Sequence, residues 1–204
     1  MNKKVCSFPI LFALLALLIG TCAVVFPAPA QAAPTSTGSI TVSGTVASSY
    51  DAYQIFSANV VDGDGDAKIA TDLAWASDAV RDAALPVLHS AGMPNSQTTA
   101  QEAAEWLNTD SHLTSALSAQ LARSLQSSGA KFVALNAGTT AELPCGYWLI
   151  VARDDAIAQG EAGTAPIMAL VGGSAVTVKP KAATPKVQKH VLEDSTAAWQ
   201  KAAD

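Results

Sequence analysis

The stretch Leu113–Leu135, LTSALSAQLARSLQSSGAKFVAL, changes its apolar period part-way along. Leu113, Leu117, Leu121 and Leu125 recur every four residues and line one stripe of a helix, which Gly129 is placed to end. Beyond Gly129 the apolar residues fall in short runs: Phe132 to Leu135, Tyr147 to Val151, Ile167 to Val171 and Ala175 to Val178. Runs of that length bounded by Gly and Pro read as strands. The leucine stripe therefore reads as the face of a helix that packs on a sheet.

Working back from that stretch, the period of about four extends to Ser77. Val80, Ala84 and Leu88 begin one helix, which Pro86 is expected to kink or end. Thr99 and Glu102 form a capping box ahead of Ala103, Trp106 and Leu107. Before Ser77 the period is two again. Ile40, Val42 and Val46 alternate with polar residues in an opening strand, Ser39 to Val46, and Tyr53 and Ile55 alternate with Gln54 and Phe56. Asp62 to Asp66, DGDGD, is a turn before a shorter extended segment near Lys68 to Trp75. Strands on either side of a helical insertion at about residues 77–129 predict a mainly β, α+β domain built as a β-sandwich with an elaborated connection.

The ends of the chain place it outside the cell. Lys3 and Lys4 precede an apolar core from about Phe8 to Phe26, followed by Pro27, Pro29 and the site Ala30-Gln31-Ala32, the pattern of a cleaved secretory signal over residues 1–32. A spanning anchor is the competing reading, and the prolines and small residues after the core favour cleavage. Thr21 before Cys22 disfavours lipidation. Residues 33–38, rich in Pro, Ser, Thr and Gly, form a flexible leader. Without residues 1–32 the chain has 172 residues and a formal charge of −7, which excludes a typical nucleic-acid binder. Cys6 and Cys22 leave with the signal and Cys145 has no intrachain partner, so there is no disulfide framework. Cys145, between Pro144 and Gly146, reads as a small core residue.

No catalytic motif appears. The chain lacks HExxH, GxSxG, P-loop and GxGxxG patterns, and GGSAV around Ser174 lacks the second glycine of a nucleophile elbow. His89, His112 and His190 are scattered over unlike elements. Asp62, Asp64 and Asp66 have the odd spacing of an EF-hand, but Ala67 and Leu73 stand where it needs glycine and glutamate. These residues point to a protein that is not an enzyme and uses no metal or cofactor.

The remaining chemistry lies in the last thirty residues. In Ala175-Val176-Thr177-Val178-Lys179-Pro180-Lys181, strand parity turns Val176 and Val178 one way and Thr177, Lys179 and, if the strand persists, Lys181 the other, towards solvent. In Val187-Gln188-Lys189-His190-Val191 the same parity sets Lys189 on the apolar face. A buried ammonium tends to lose its proton and become a nucleophile, while a lysine that snorkels from a linker stays an ordinary solvated charge.

VTVKPK, TPKVQKHV and AAWQKAAD together resemble the junction between the first and second domains of sortase-assembled pilus backbone subunits of Gram-positive bacteria. SITVSGTV, YDAYQIF, LPCGYWLIVA and APIMALVGG resemble that family's first domain, so the likeness runs in order over roughly residues 38–204. In the family, alternating valines before Tyr-Pro-Lys form a pilin motif whose lysine joins one subunit to the next. Val176, Val178, Pro180 and Lys181 match it, while Lys179 replaces the aromatic residue and Gly172 stands where the fullest motif has tryptophan. The departures leave Lys181, Lys179 and Lys186 open as the linking residue, with Lys181 the best match.

The resemblance implies an immunoglobulin-like first domain of the collagen-adhesin B kind over residues 39–181, and residues 182–204 as a linker and the truncated start of a second, isopeptide-forming domain, with Pro185 at the boundary and Trp199 in its next strand. There Lys189 would form an intramolecular isopeptide bond with an asparagine late in the complete second domain. The first domain would carry none, because Ser39 to Val46 contains no lysine. The function implied is a structural subunit of a fimbrium, secreted and then held at the cell wall. Its partners would be a pilus sortase, identical subunits and minor pilins, with no membrane contact by the mature fragment. The alternative is a surface adhesin or minor pilin whose loops and helical insertion bind a host ligand.

Overall fold

The computed structural model describes residues 36–44, 46–65, 67–109, 111–157, 163–181, 190–193 and 198–201. The fold is mainly β, with three helices. Strand β1 (Thr37–Val42) lies between β5 (Thr140–Pro144), antiparallel, and β8 (Val176–Val178), parallel. A larger sheet has the order β3 (Lys68–Trp75), β2 (Ser49–Asp62), β6 (Gly146–Ala152), β7 (Ile167–Val171), with β4 (Val133–Asn136) pairing the first part of β2. All its pairings are antiparallel.

The middle of the larger sheet, β2 and β6, is buried on both faces, and its two faces meet different partners. Tyr50, Ala52, Trp148 and Ile150 pack with Ile40, Val42, Leu143 and Val178 of the three-stranded sheet. Tyr53, Ile55, Leu149 and Val151 pack under helices α1 (Asp78–Ser90), α2 (Ala100–Asn108) and α3 (Ser115–Ser128). This is period-two alternation with an apolar layer on each side, which is why Gly146–Ala152 is an almost unbroken apolar run. The order of layers is sheet, sheet, helices.

Several expectations hold at residue level. Leu117, Leu121 and Leu125 form the buried stripe of α3. Gly129 caps that helix at φ 69° in the left-handed region, and its N–H donates back to Leu125 and Gln126 carbonyls. Thr99 and Glu102 make the reciprocal capping box of α2. The turn expected after Asp62 is present, with Gly63 N–H donating to the Ala67 carbonyl at 2.9 Å. Cys145 is buried beside Ala58 and Val60.

Other expectations are corrected. Pro86 sits inside α1, which runs on to Ser90. Proline removes only the bond to the carbonyl of residue i−4, here Asp82, and both Asp82 and Pro86 are exposed, so water can satisfy that carbonyl. Leu113 lies outside α3, before the N-cap Thr114, whose hydroxyl accepts from Leu117 N–H at 3.1 Å. The opening strand stops at Val42 rather than reaching Val46, because the chain turns at Gly44, φ +127°. Phe132 precedes β4 and is half exposed, 5.7 Å from the Tyr53 ring. Phe56 shares the helical core with Tyr53 and Ile55 instead of pairing with Gln54, because the β2–β6 register shifts between Gln54 and Phe56.

Near the C-terminus β9 (His190–Glu193) and β10 (Ala198–Lys201) form an antiparallel pair, with His190 opposite Lys201. Trp199 lies on a strand, as expected. Lys186, Lys189 and the secretory signal lie outside the described residues. Among the described residues, no helix is long and apolar enough to cross a membrane.

Candidate functional site

The two lysines that follow β8 stand beside the segment leading into β7 and the start of α3. Val178 is buried and Thr177 exposed, so the parity read from the sequence is kept to the last residue of the strand. The Val178 carbonyl is held by Ser43, whose N–H donates at 2.8 Å and whose hydroxyl donates at 3.3 Å. The chain then passes Gly44, beside Pro180, and leaves the sheet with Lys179 and Lys181 both exposed.

Both lysines line an open groove of about 530 Å³. Its other walls are Leu113, Ser115 and Ser118 around the start of α3, and Gly163 to Met168 leading into β7. No described residue lining it is acidic, and neither lysine has a carboxylate within salt-bridge distance among the described residues. At Leu113 and Met168 the groove meets a smaller slot of about 80 Å³ lined by Phe56, Ala104, Leu107, Asn108 and Tyr147. Burial raises the Tyr147 phenol above its ordinary value, as expected for a ring packed edge-on to Phe56 at 6.1 Å.

The start of β8 is held by a different lysine. Lys68 Nζ donates to the Gly172 carbonyl at 2.6 Å, the Ser174 carbonyl at 2.7 Å, the Ser174 hydroxyl at 3.0 Å and Asp62 Oδ1 at 3.2 Å. Asp62 in turn accepts the Ser174 N–H at 2.9 Å on each oxygen and the Ser174 hydroxyl at 3.0 Å. The Ser174 backbone N–H, its hydroxyl and then Lys68 hold the Asp62 carboxyl below the ordinary carboxylate range. The β2–β3 turn is thus tied to the β7–β8 turn over more than a hundred residues of sequence.

That clamp depends on glycine. Gly172 has φ +132°, and a Cβ there would lie 2.6 Å from Val60 Cβ and 2.7 Å from Cys145 Sγ. No bulkier side chain fits at position 172, because the turn passes directly over Val60 and Cys145.

The structure brings Lys179 and Lys181 onto one groove and therefore does not choose between them by exposure. The sequence reading missed Asp62, Lys68 and Ser174 as partners. Its signals, DGDGD and GGS, were visible only as an incomplete calcium loop and an incomplete nucleophile elbow. Asp62, the first of the aspartates weighed for calcium, is occupied by Ser174 and Lys68. The Ser174 hydroxyl is held between Asp62, to which it donates, and Lys68, from which it accepts. Among the described residues no group of three or more His, Cys, Asp and Glu is placed to hold a metal ion. No protein-family model and no curated protein matches this chain.

Proposed function

We propose that this chain belongs to a structural subunit of a sortase-assembled surface pilus, polymerised covalently through Lys181. The observation that carries the reading is an exposed lysine pair directly after an anchored strand, on a groove wall with no acidic lining among the described residues. An acceptor amine must be reachable, fixed in place by its backbone and not locked in an ion pair. Lys181 and Lys179 meet these conditions and Lys68 does not. The Val-Thr-Val-Lys-Pro-Lys pattern favours Lys181 of the two. The packing of one sheet on the other supports an immunoglobulin-like sandwich of the collagen-adhesin B kind as the scaffold.

In this scheme the deprotonated Lys181 nitrogen attacks the carbonyl of a peptide held as a cysteine thioester on the sortase. The carbon–sulfur bond breaks, an amide forms, and the proton lost by nitrogen goes to the departing sulfur. A lysine amine has an ordinary pKa of about 10.4, so the docked sortase complex has to remove its proton first. Lys181 is a substrate here, and the chain is not an enzyme.

The test is polymerisation of the full-length protein with its sortase. Lys181→Ala should abolish ladders that survive boiling in detergent, and Lys179→Ala should leave them. Ladders that persist in Lys181→Ala would move the linkage to Lys179 or Lys186.

A further inference from the structure

Helix α3 carries a second stripe beside its leucines. Ala119, Ala122, Arg123 and Gln126, at steps of three and four, line an open groove of about 510 Å³ between the helix and the end of β6. With only methyl groups at Ala119 and Ala122, the space between helix and sheet is left unfilled. Across the groove is Asp51 of β2. It alternates with Tyr50 and Ala52, which pack on the three-stranded sheet, so Asp51 lies on the helical face, opposite Val151 of β6. A carboxylate is costly there unless it is partnered. Its Oδ1 is buried with no hydrogen-bond partner among the described residues, and burial raises the carboxyl above its ordinary value even though Arg153 draws it down.

Arg123 is the complementary anomaly. Of the chain's three arginines, Arg81 pairs with Asp78 and Asp82, and Arg153 pairs with Asp155. Arg123 has no carboxylate within salt-bridge distance among the described residues, and its Nε donates only to the Ala119 carbonyl of its own helix, at 3.3 Å. Asp51 and Arg123 thus line one groove without closing on each other, one fixed to a strand and the other to a helix. The volume is in the range of small-molecule sites, ~300–1,000 Å³.

We infer that this groove binds a small zwitterion, an amino acid whose ammonium donates to Asp51 and whose carboxylate accepts from the Arg123 guanidinium, its carbon chain lying over Ala119 and Ala122. Each charged bond satisfies a group that the fold leaves without a partner among the described residues. A lone cation would also meet Arg123 and Arg153, and a lone anion would meet Asp51, Asp154 and Asp155, so a single charge is opposed where a zwitterion is matched. The inference is independent of the proposed linkage. The groove shares Thr164 and Pro166 with the two-lysine groove but includes neither lysine.

The probes are glycine, β-alanine, 4-aminobutyrate and 5-aminovalerate, which move the two charges apart one methylene at a time, titrated into the full chain and followed by calorimetry. Affinity should peak at one chain length and fall at least about tenfold when the best ligand is N-acetylated or its carboxyl is amidated, the scale of one charged hydrogen bond. Asp51→Asn and Arg123→Gln should each cause a loss of the same size. Ala119→Leu, which keeps a good helix former and fills the groove, should abolish binding, while Arg81→Gln and Lys181→Ala should leave it unchanged. The inference is overturned if none of the four probes binds, if acetate or methylammonium alone binds as tightly, or if affinity is unchanged in either Asp51→Asn or Arg123→Gln. Should those two variants fail to fold, Ala119→Leu decides, and unchanged affinity in it overturns the inference.

Discussion

Strand β8 begins under one lysine and ends in two others, and the two ends use the same side chain for opposite purposes. At its start Lys68, with a side chain only 15 % exposed, donates to two carbonyls, a hydroxyl and a carboxylate. At its end Lys179 and Lys181 stand on an open groove with no described carboxylate in reach. An ammonium with four acceptors is held in place and contributes cohesion. An ammonium facing only a groove is free to be used. The difference teaches that reactivity of a lysine is set by what its tertiary neighbours leave unsatisfied, since an isolated lysine has the same chemistry everywhere.

The largest effect expected from breaking this contrast comes at Gly172. Gly172→Val forces a Cβ into Val60 and Cys145 and a branched side chain into φ +132°. It should cost ~3 kcal/mol, from overpacking and backbone strain together, read as a lower denaturant midpoint. A midpoint within 0.5 kcal/mol of wild type, on the scale of a neutral surface change, would show that the turn does not pass over Val60 as described.

Next come the lysines themselves. Lys68→Met removes the ammonium that four acceptors share and should lower stability by ~2 kcal/mol. Lys181→Ala should change it by less than ~0.5 kcal/mol, as for an exposed residue without partners. Equal losses in the two variants would erase the distinction between a clamping and an available lysine.

The smallest effect is a dependence on pH. Asp62 has its folded pKa depressed below the ordinary value of 3.8, so its contribution to stability is fully present above that value. As pH falls below about 4 the folded protein increasingly has to take up a proton there, and the contribution is lost through the folded pKa. The stability difference between wild type and Asp62→Asn should therefore be constant from pH 7 to 5 and shrink below 4. A difference that is unchanged down to pH 3 would show that Ser174 and Lys68 do not hold the carboxylate.

Much of the frame was legible in the sequence because it rests on local periodicity. The step of four from Leu117 to Leu125 and the Gly129 cap give α3, and the Thr99–Glu102 box gives the start of α2, since each needs only neighbours within one turn. Tyr147 to Val151 and Ile167 to Val171 read as strands because an apolar run of that length has no better use. The errors fall where a local rule meets a distant partner. Leu113 fits the period of the helix but serves a groove wall, and Phe56 leaves its expected face because β2 and β6 shift register. Pro86 breaks the rule against helical proline without breaking the helix, at a position where Pro86 and Asp82, the residue that loses the hydrogen bond, are both exposed.

The sequence by itself determined the alternation that turns Val178 inward and Lys179 outward, the helix caps, the charge balance and the lysine-proline-lysine pattern at the end of β8. These depend on covalent geometry and on side-chain types within a few residues. Only the tertiary structure decided that Lys68 is a clamp and Lys181 is not, and that Leu113 and Met168 meet at the mouth of a slot. Asp62 and Ser174 are 112 positions apart, and nothing in either local sequence encodes the other. What joins them is the packing of β7 beside β6 and of β6 beside β2, which carries the Gly172–Ser174 turn over the β2–β3 hairpin and leaves the far end of β8 open.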